Sequence, residues 1–101
     1  MNPIYRWSGQ YFGFVANGRL FDRNSTYLGW LDDGGRAWKA DGQFLGELIE
    51  GTYIMRRTNA VAPVARIPLV PPVPPVPPIP VVDRVGRVGW AGWTDALKEF
   101  T

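Results

Sequence analysis

A chain of 101 residues has room for one small domain, and short chains bury a smaller share of their surface, so its core must be dense in large side chains. Five Trp, four Tyr and five Phe supply that density. The chain has no Cys and no His, which excludes disulfides, thiolate metal sites and the commonest general base; eleven basic against nine acidic residues give only +2, too little and too scattered to steer nucleic acid.

In chain order, the first informative segment is Ile-Tyr-Arg-Trp-Ser-Gly at 4–9, which stands 16 residues before Leu-Phe-Asp-Arg-Asn-Ser at 20–25. It reads as the second strand of a hairpin whose first strand is missing. Three full units follow, opening on Tyr11-Phe12-Gly13, Tyr27-Leu28-Gly29 and Phe44-Leu45-Gly46, 16 and 17 residues apart. Each carries a turn signal a few positions later: Asn17-Gly18, Asp33-Gly34-Gly35 and Glu50-Gly51. Such dipeptides accept the positive φ of tight hairpin turns, so the units read as β-hairpins. A helical reading fails, because Gly recurs too often and no unit holds a 3.6-residue apolar period.

After Asn59, residues 60–65 fall where a fourth opening strand should begin. Pairing that segment with the N-terminal strand would complete a fourth hairpin and close a ring of eight short strands. Closure removes the exposed edges that small sheets otherwise struggle to protect. The mid-strand glycines Gly13, Gly29 and Gly46 then mark close approach of backbones within the ring. Inward apolar residues would line a central pocket; the candidates are Tyr11, Tyr27, Phe44, Phe21, Trp38 and Ile54, with core packing as the alternative role for each.

At this point the residues carry a resemblance. Pro-Ile-Tyr-x-x-Ser-Gly at 3–9, Leu-Gly-Trp-Leu at 28–31, Thr-Asn-Ala-Val at 58–61 and a proline-rich tail ending near Trp resemble the 4-fold β-flower proteins. Over residues 3 to about 66 the resemblance implies an all-β fold, a shallow pseudo-fourfold barrel of four hairpins radiating like petals. It implies no enzyme activity, since the shared motifs are structural. The tail matches only in kind: Val-Pro-Pro stands where Lys-containing proline repeats are expected.

The domain reading is therefore a β-flower over 1–66, a proline-rich segment over 67–82 and a Trp-containing segment over 83–101. Eight prolines between Pro68 and Pro80 dictate polyproline II, whose threefold period sets Val70, Val73, Val76 and Ile79 on one apolar edge. That edge reads as a spacer or as a docking ridge. Trp90, Trp93, Leu97 and Phe100 share one face of a short helix at about 94–100, with Thr94 as its cap. So short a helix must dock, onto the barrel mouth, onto another copy or onto a lipid interface. Self-docked, the tail would be a plug or a latch.

No catalytic constellation, phosphate loop or metal-ligand cluster can be assembled, and no cofactor is implied. Asp32-Asp33 before Gly-Gly reads as a turn. The expected function is a non-enzymatic binding module holding an apolar small molecule, lipid or chain segment in the barrel centre. A structural protein that self-associates or recruits a partner through its tail is the alternative, and membrane-surface association a third. No apolar run reaches the ~18–20 residues of a membrane span and no signal-peptide core is visible, so a cytoplasmic protein is expected.

Overall fold

Asn17-Gly18 and Glu50-Gly51 both turn with positive φ, 52° and 74° in the first pair and 55° and 72° in the second. That mirror-image turn matches the twist of the flanking strands, and it fixes where hairpins form. The computed structural model describes residues 2–59, 61–73, 75–76, 78 and 82–100. It contains strands β1 (Asn2–Tyr5), β2 (Tyr11–Ala16), β3 (Arg19–Asp22), β4 (Tyr27–Leu31), β5 (Arg36–Lys39), β6 (Phe44–Ile49), β7 (Tyr53–Arg57) and β8 (Trp93–Asp95), then a 3-10 helix over Ala96–Phe100.

Strands β1 to β7 join their neighbours antiparallel in chain order, and the ring closes where Tyr5 of β1 meets Tyr53 of β7 in parallel. An odd strand count makes the closing pair parallel. The Tyr5 N–H donates to the Thr52 carbonyl at 2.9 Å, and the Thr52 hydroxyl to the Pro3 carbonyl at 3.2 Å. The fold is thus an all-β closed barrel of seven strands, with β8 outside and antiparallel to β7. The expected pairing of the N-terminal strand with residues 60–65 does not form: 61–65 carry no strand, and the neighbour of β7 comes instead from the far end of the chain. Pro63 cannot donate to a ladder, and the segment follows a different period, described below.

The units repeat in space. Ile4, Leu20 and Ala37 pair with Gly13, Gly29 and Gly46 respectively, and with Ile54 they are all fully buried in one core cluster. Phe12, Leu28, Leu45, Leu31 and Leu48 pack into the same cluster. Side chains alternate across a strand, so Tyr5, Phe21, Trp38 and Met55, one residue further on, face the other way. Equivalent pairs face each other in all three hairpins, Phe14 with Phe21, Trp30 with Trp38 and Glu47 with Met55, so β7 sits one residue later than sequence alignment places it. The three residues between Ile49 and Tyr53, against two between Ala16 and Arg19, account for the slip. Sequence alignment alone equates Ile54 with Phe21 and Trp38; the structure equates Met55 with them.

Candidate functional site: the plug and the tail belt

The barrel centre is filled by the chain's own C-terminal end. Ala96 and Leu97 lie in the core cluster with Ile4, Leu20, Ala37 and Ile54, and Phe100 packs against Phe12 with ring centroids 6.0 Å apart. The helix expected at 94–100 is shorter and tighter: Thr94 and Asp95 belong to β8, and 3-10 geometry spans Ala96–Phe100. Asp95, not Thr94, is the cap, accepting the Leu97 N–H at 3.0 Å. The same carboxylate accepts from the Arg6 guanidinium at 2.8 Å and from the Trp7 N–H at 3.2 Å. One residue of β8 thereby ties the plug to the turn that follows β1.

Of the six proposed pocket-lining residues, only Ile54 faces the core. Tyr11, Tyr27, Phe44, Phe21 and Trp38 lie on the outer face of the barrel wall, because each neighbours a core residue along its strand (Phe12, Leu28, Leu45, Leu20 and Ala37). There they form pairs: Phe21 with Phe14 and Tyr27 at 5.2 and 6.0 Å, Trp38 with Trp30 and Phe44 at 6.3 and 5.5 Å, Tyr11 with Tyr5 at 6.0 Å. Burial pushes the Tyr11 hydroxyl above its ordinary 10.0, against the lowering influence of Arg23. Gly13, Gly29 and Gly46 sit at backbone contacts: a Cβ at Gly29 would overlap the Trp38 carbonyl oxygen, one at Gly13 that of Phe21, and one at Gly46 would lie 2.6 Å from that of Met55.

What covers these outer aromatics is the tail, which touches the turns of the barrel in reverse chain order. The Arg66 N–H donates to the Gly42 carbonyl at 2.9 Å, the Ser25 hydroxyl to the Pro75 carbonyl at 2.6 Å, and the Arg84 N–H to the Gly9 carbonyl at 2.7 Å. Gly9, Ser25 and Gly42 hold equivalent turn positions, with φ of 95°, 65° and 91°. At Gly9 and Gly42 a Cβ would overlap the carbonyl of the docked arginine, so only Gly fits. At the middle corner the tail presents Pro75, which has no N–H to give. There the turn supplies the donor itself, from Ser25.

Arg57, Arg66, Pro75, Arg84 and Trp93 stand nine residues apart. The first and last are paired across β7 and β8, with the Arg57 guanidinium 5.0 Å from the Trp93 ring, and the Thr58 N–H donates to Gly92 at 2.8 Å. The tail therefore leaves the barrel at Arg57, visits three turns and returns beside its starting point. It is a belt, buckled where it begins.

The corner arginines cap the wall. Arg66 lies 4.5 Å over the Trp38 ring and Arg84 3.9 Å over Tyr5, the equivalent wall position. Arg87 lies 4.7 Å over Trp7, which also meets Tyr53 at 5.0 Å and stacks on Trp90 at 5.8 Å, with Trp93 beyond at 4.6 Å from Trp90. Arg87, Trp7, Trp90, Trp93 and Arg57 thus form one column at the buckle. A groove of about 440 Å³ opens beside it, between Trp7, Ile49, Glu50, Arg87 and Trp90.

Asp32 links turn, wall and belt. It accepts from the Gly34 and Arg36 amides at 2.9 and 3.0 Å and from the Trp38 indole at 3.0 Å, and it pairs with Arg66 at 3.3 Å. Burial pushes its carboxyl up, but the Trp38, Arg36 and Gly34 donors and the Arg66 charge outweigh this, and the pKa falls below the ordinary 3.8. A depressed folded pKa stabilises the fold fully above the unfolded value and loses that contribution as pH falls through the lower, folded one. The stability advantage of wild type over Asp32→Asn should therefore be constant above pH 5 or so and shrink below about pH 4, read by urea unfolding at each pH. An advantage that does not change with pH would mean that the carboxylate's charge contributes nothing.

Val73, Val76 and their neighbours, the expected docking ridge, are turned outward. Val70, Val73 and Val76 are 84–92% exposed, while Pro72, Pro75 and Pro78 on the adjoining edge are half-buried. Ile79 lies outside the described residues. The outward set does not stop at the prolines: Val61, Val64, Ile67, Val70, Val73, Val76, Val82, Val85 and Val88 are all at least 84% exposed, at steps of three except across residue 79. Nine is a multiple of three, so each arm of the belt begins in the same phase and shows the same edge. Leu97 is fully buried, Trp93 stacks on Trp90, and Phe100 packs against Phe12; Trp90 is stacked yet 41% exposed.

The sequence model for the 4-fold beta flower protein matches residues 1–100, barrel and tail together. The chain belongs to the 4-fold beta flower family. No curated protein and no solved structure gives a match. In this β-flower no helix among the described residues is long and apolar enough to cross a membrane, and no described group of three His, Cys, Asp or Glu is placed to hold a metal.

Proposed function

We propose that this β-flower is a non-enzymatic docking module: a barrel sealed by its own C-terminal plug, carrying a belt that presents an apolar ridge to a partner. The observation that carries this reading is the period-three row of exposed Val and Ile around the belt. Isolated exposed apolar residues are ordinary, whereas a row of them at one period marks an interaction surface. The charges of the belt, though exposed, find partners on the barrel. Arg66 pairs with Asp32, Arg87 with Glu50 at 2.9 Å, Arg84 covers Tyr5, and Asp83 accepts the Tyr11 N–H at 2.8 Å. A ligand in the barrel centre would have to displace Leu97, so uptake there is tied to withdrawal of the plug.

A photo-crosslinking residue placed at Val73 should give covalent adducts in the cells that make the protein, and the same residue at Asp33, on an exposed hairpin tip, should not. Absence of any adduct at Val73 would overturn the docking reading.

A further inference from the structure

We infer that the cleft between β5, β6, β7 and the first arm of the belt binds a small phosphate monoester. A cavity of about 220 Å³ opens there, bordered by Arg36, Phe44, Glu47, Arg56, Arg57 and Pro63. The sheet brings its charges together. Arg36 of β5 stands opposite Glu47 of β6, Glu47 stands opposite Met55 of β7, and Arg56 and Arg57 come next along that strand. Three guanidiniums and one carboxylate border one small space, a local surplus of two positive charges.

The fold leaves one of these cations unused. Opposite charges across a sheet attract, and the register offers Glu47 to Arg36. The carboxylate turns instead to Arg57, whose Nε lies 3.3 Å away. Among the described residues the Arg36 guanidinium has no ion pair, hydrogen bond or ring contact. The other arginines outside ion pairs are all engaged, Arg19 with Tyr27 and Val70, Arg23 over Tyr11, Arg56 over Phe44 and Arg84 over Tyr5. Arg56 and Arg57 are held in place, 5.9 Å over the Phe44 ring and 5.0 Å from the Trp93 ring, so an anion bound between them has less side-chain freedom to freeze.

Guanidinium forks match the oxygens of a phosphate group. A phosphate monoester carries about −1.5 to −2 charges at neutral pH, so it gains more from three guanidiniums, against the repulsion of Glu47, than a single carboxylate does. Phe44 and Pro63 supply an apolar wall for the ester group. At ~30 Å³ per water the cavity has about the volume of seven waters, matched to a phosphate with a small organic group.

The test titrates phenyl phosphate into the full chain and follows the backbone amides and arginine Nε–H signals by NMR. Shifts at Arg36, Phe44, Arg56 and Arg57 should saturate together at one site per chain, with a dissociation constant of about 1 mM or tighter. The groups are partly exposed, so about 0.2 M NaCl should weaken binding. Arg36→Gln should keep the melting temperature and weaken binding by about fivefold or more, because its charge has no other role. Arg23→Gln removes the same charge at another corner and should leave the affinity within about twofold. Glu47→Gln should tighten binding, since it removes the carboxylate from the cavity and frees Arg57. No saturation below about 10 mM, equal weakening by Arg36→Gln and Arg23→Gln, or weaker binding by Glu47→Gln would overturn the site. Vesicles carrying phosphatidic acid present the same monoester on a surface. Binding to them without a saturable response to phenyl phosphate would mean a membrane contact and would sink the site; binding to both, each weakened by Arg36→Gln, keeps the site and makes the lipid its source.

Discussion

Gly29→Ala is expected to cost about 3 kcal/mol or more, the upper end of overpacking effects, and to lower the melting temperature by roughly 12–24 °C. Gly29 faces Lys39 in the ladder, and its absent Cβ would overlap the Trp38 carbonyl oxygen. That oxygen belongs to a backbone fixed on both sides, by β4 and by β6, so no rotamer change can relieve the clash. The strand must shift, and Leu20 and Trp38, both buried, shift with it. Gly34→Ala is the control. A Cβ there meets only the Asp32 Oδ1 at 3.4 Å, an ordinary contact, so the change should be close to neutral. Urea unfolding of both variants decides the matter: equal stabilities would mean that the close approach at Gly29 is not a structural requirement. For a small domain, with ~5–15 kcal/mol of total stability, a loss of this size removes a large part of the margin.

The same contact shows how far the sequence could be read. Aromatic-x-Gly openings and Asn-Gly turns placed β2 to β7 in order, because turn chemistry and mid-strand Gly are local signals that need no knowledge of the partner. Ring closure departs from the expected pairing for a physical reason. Extending the 16–17 residue spacing puts a strand at 60–65, but at Val61 the chain has already left that period for a period of three. The change was visible in Val61, Val64 and Ile67, and again in Arg84-Val85-Gly86-Arg87-Val88, where the triplet continues without any proline. Proline composition marks only 67–82, whereas the triplet runs beyond it on both sides. The direction of the ridge was not legible at all. Apolar rows are usually buried; here the wall of Tyr5, Phe21 and Trp38 accepts Arg guanidinium and proline instead, which leaves the valines outside. Nor could alignment show that a three-residue hairpin loop slips β7 by one position, turning Ile54 inward and Met55 out.

The plug ties these parts together, and Leu97→Ala tests how. Leu97 is fully buried among Ile4, Leu20, Ala37 and Ile54, so truncation leaves a cavity worth about 2–5 kcal/mol. The consequence should reach beyond that cavity. A five-residue 3-10 helix has no stability of its own, and β8 is held by three ladder pairs and the Asp95 bonds. Once the plug loosens, the buckle at Arg57 and Trp93 opens, and the belt keeps only its scattered corner bonds. Hydrogen exchange of Leu97→Ala should therefore show the amides of Arg66, Arg84 and Arg87, each bonded to the barrel, losing protection well before those of β2 to β6. If belt and barrel amides lose protection together, plug, belt and barrel unfold as one unit, and the tail is as much a part of the core as the strands it encircles.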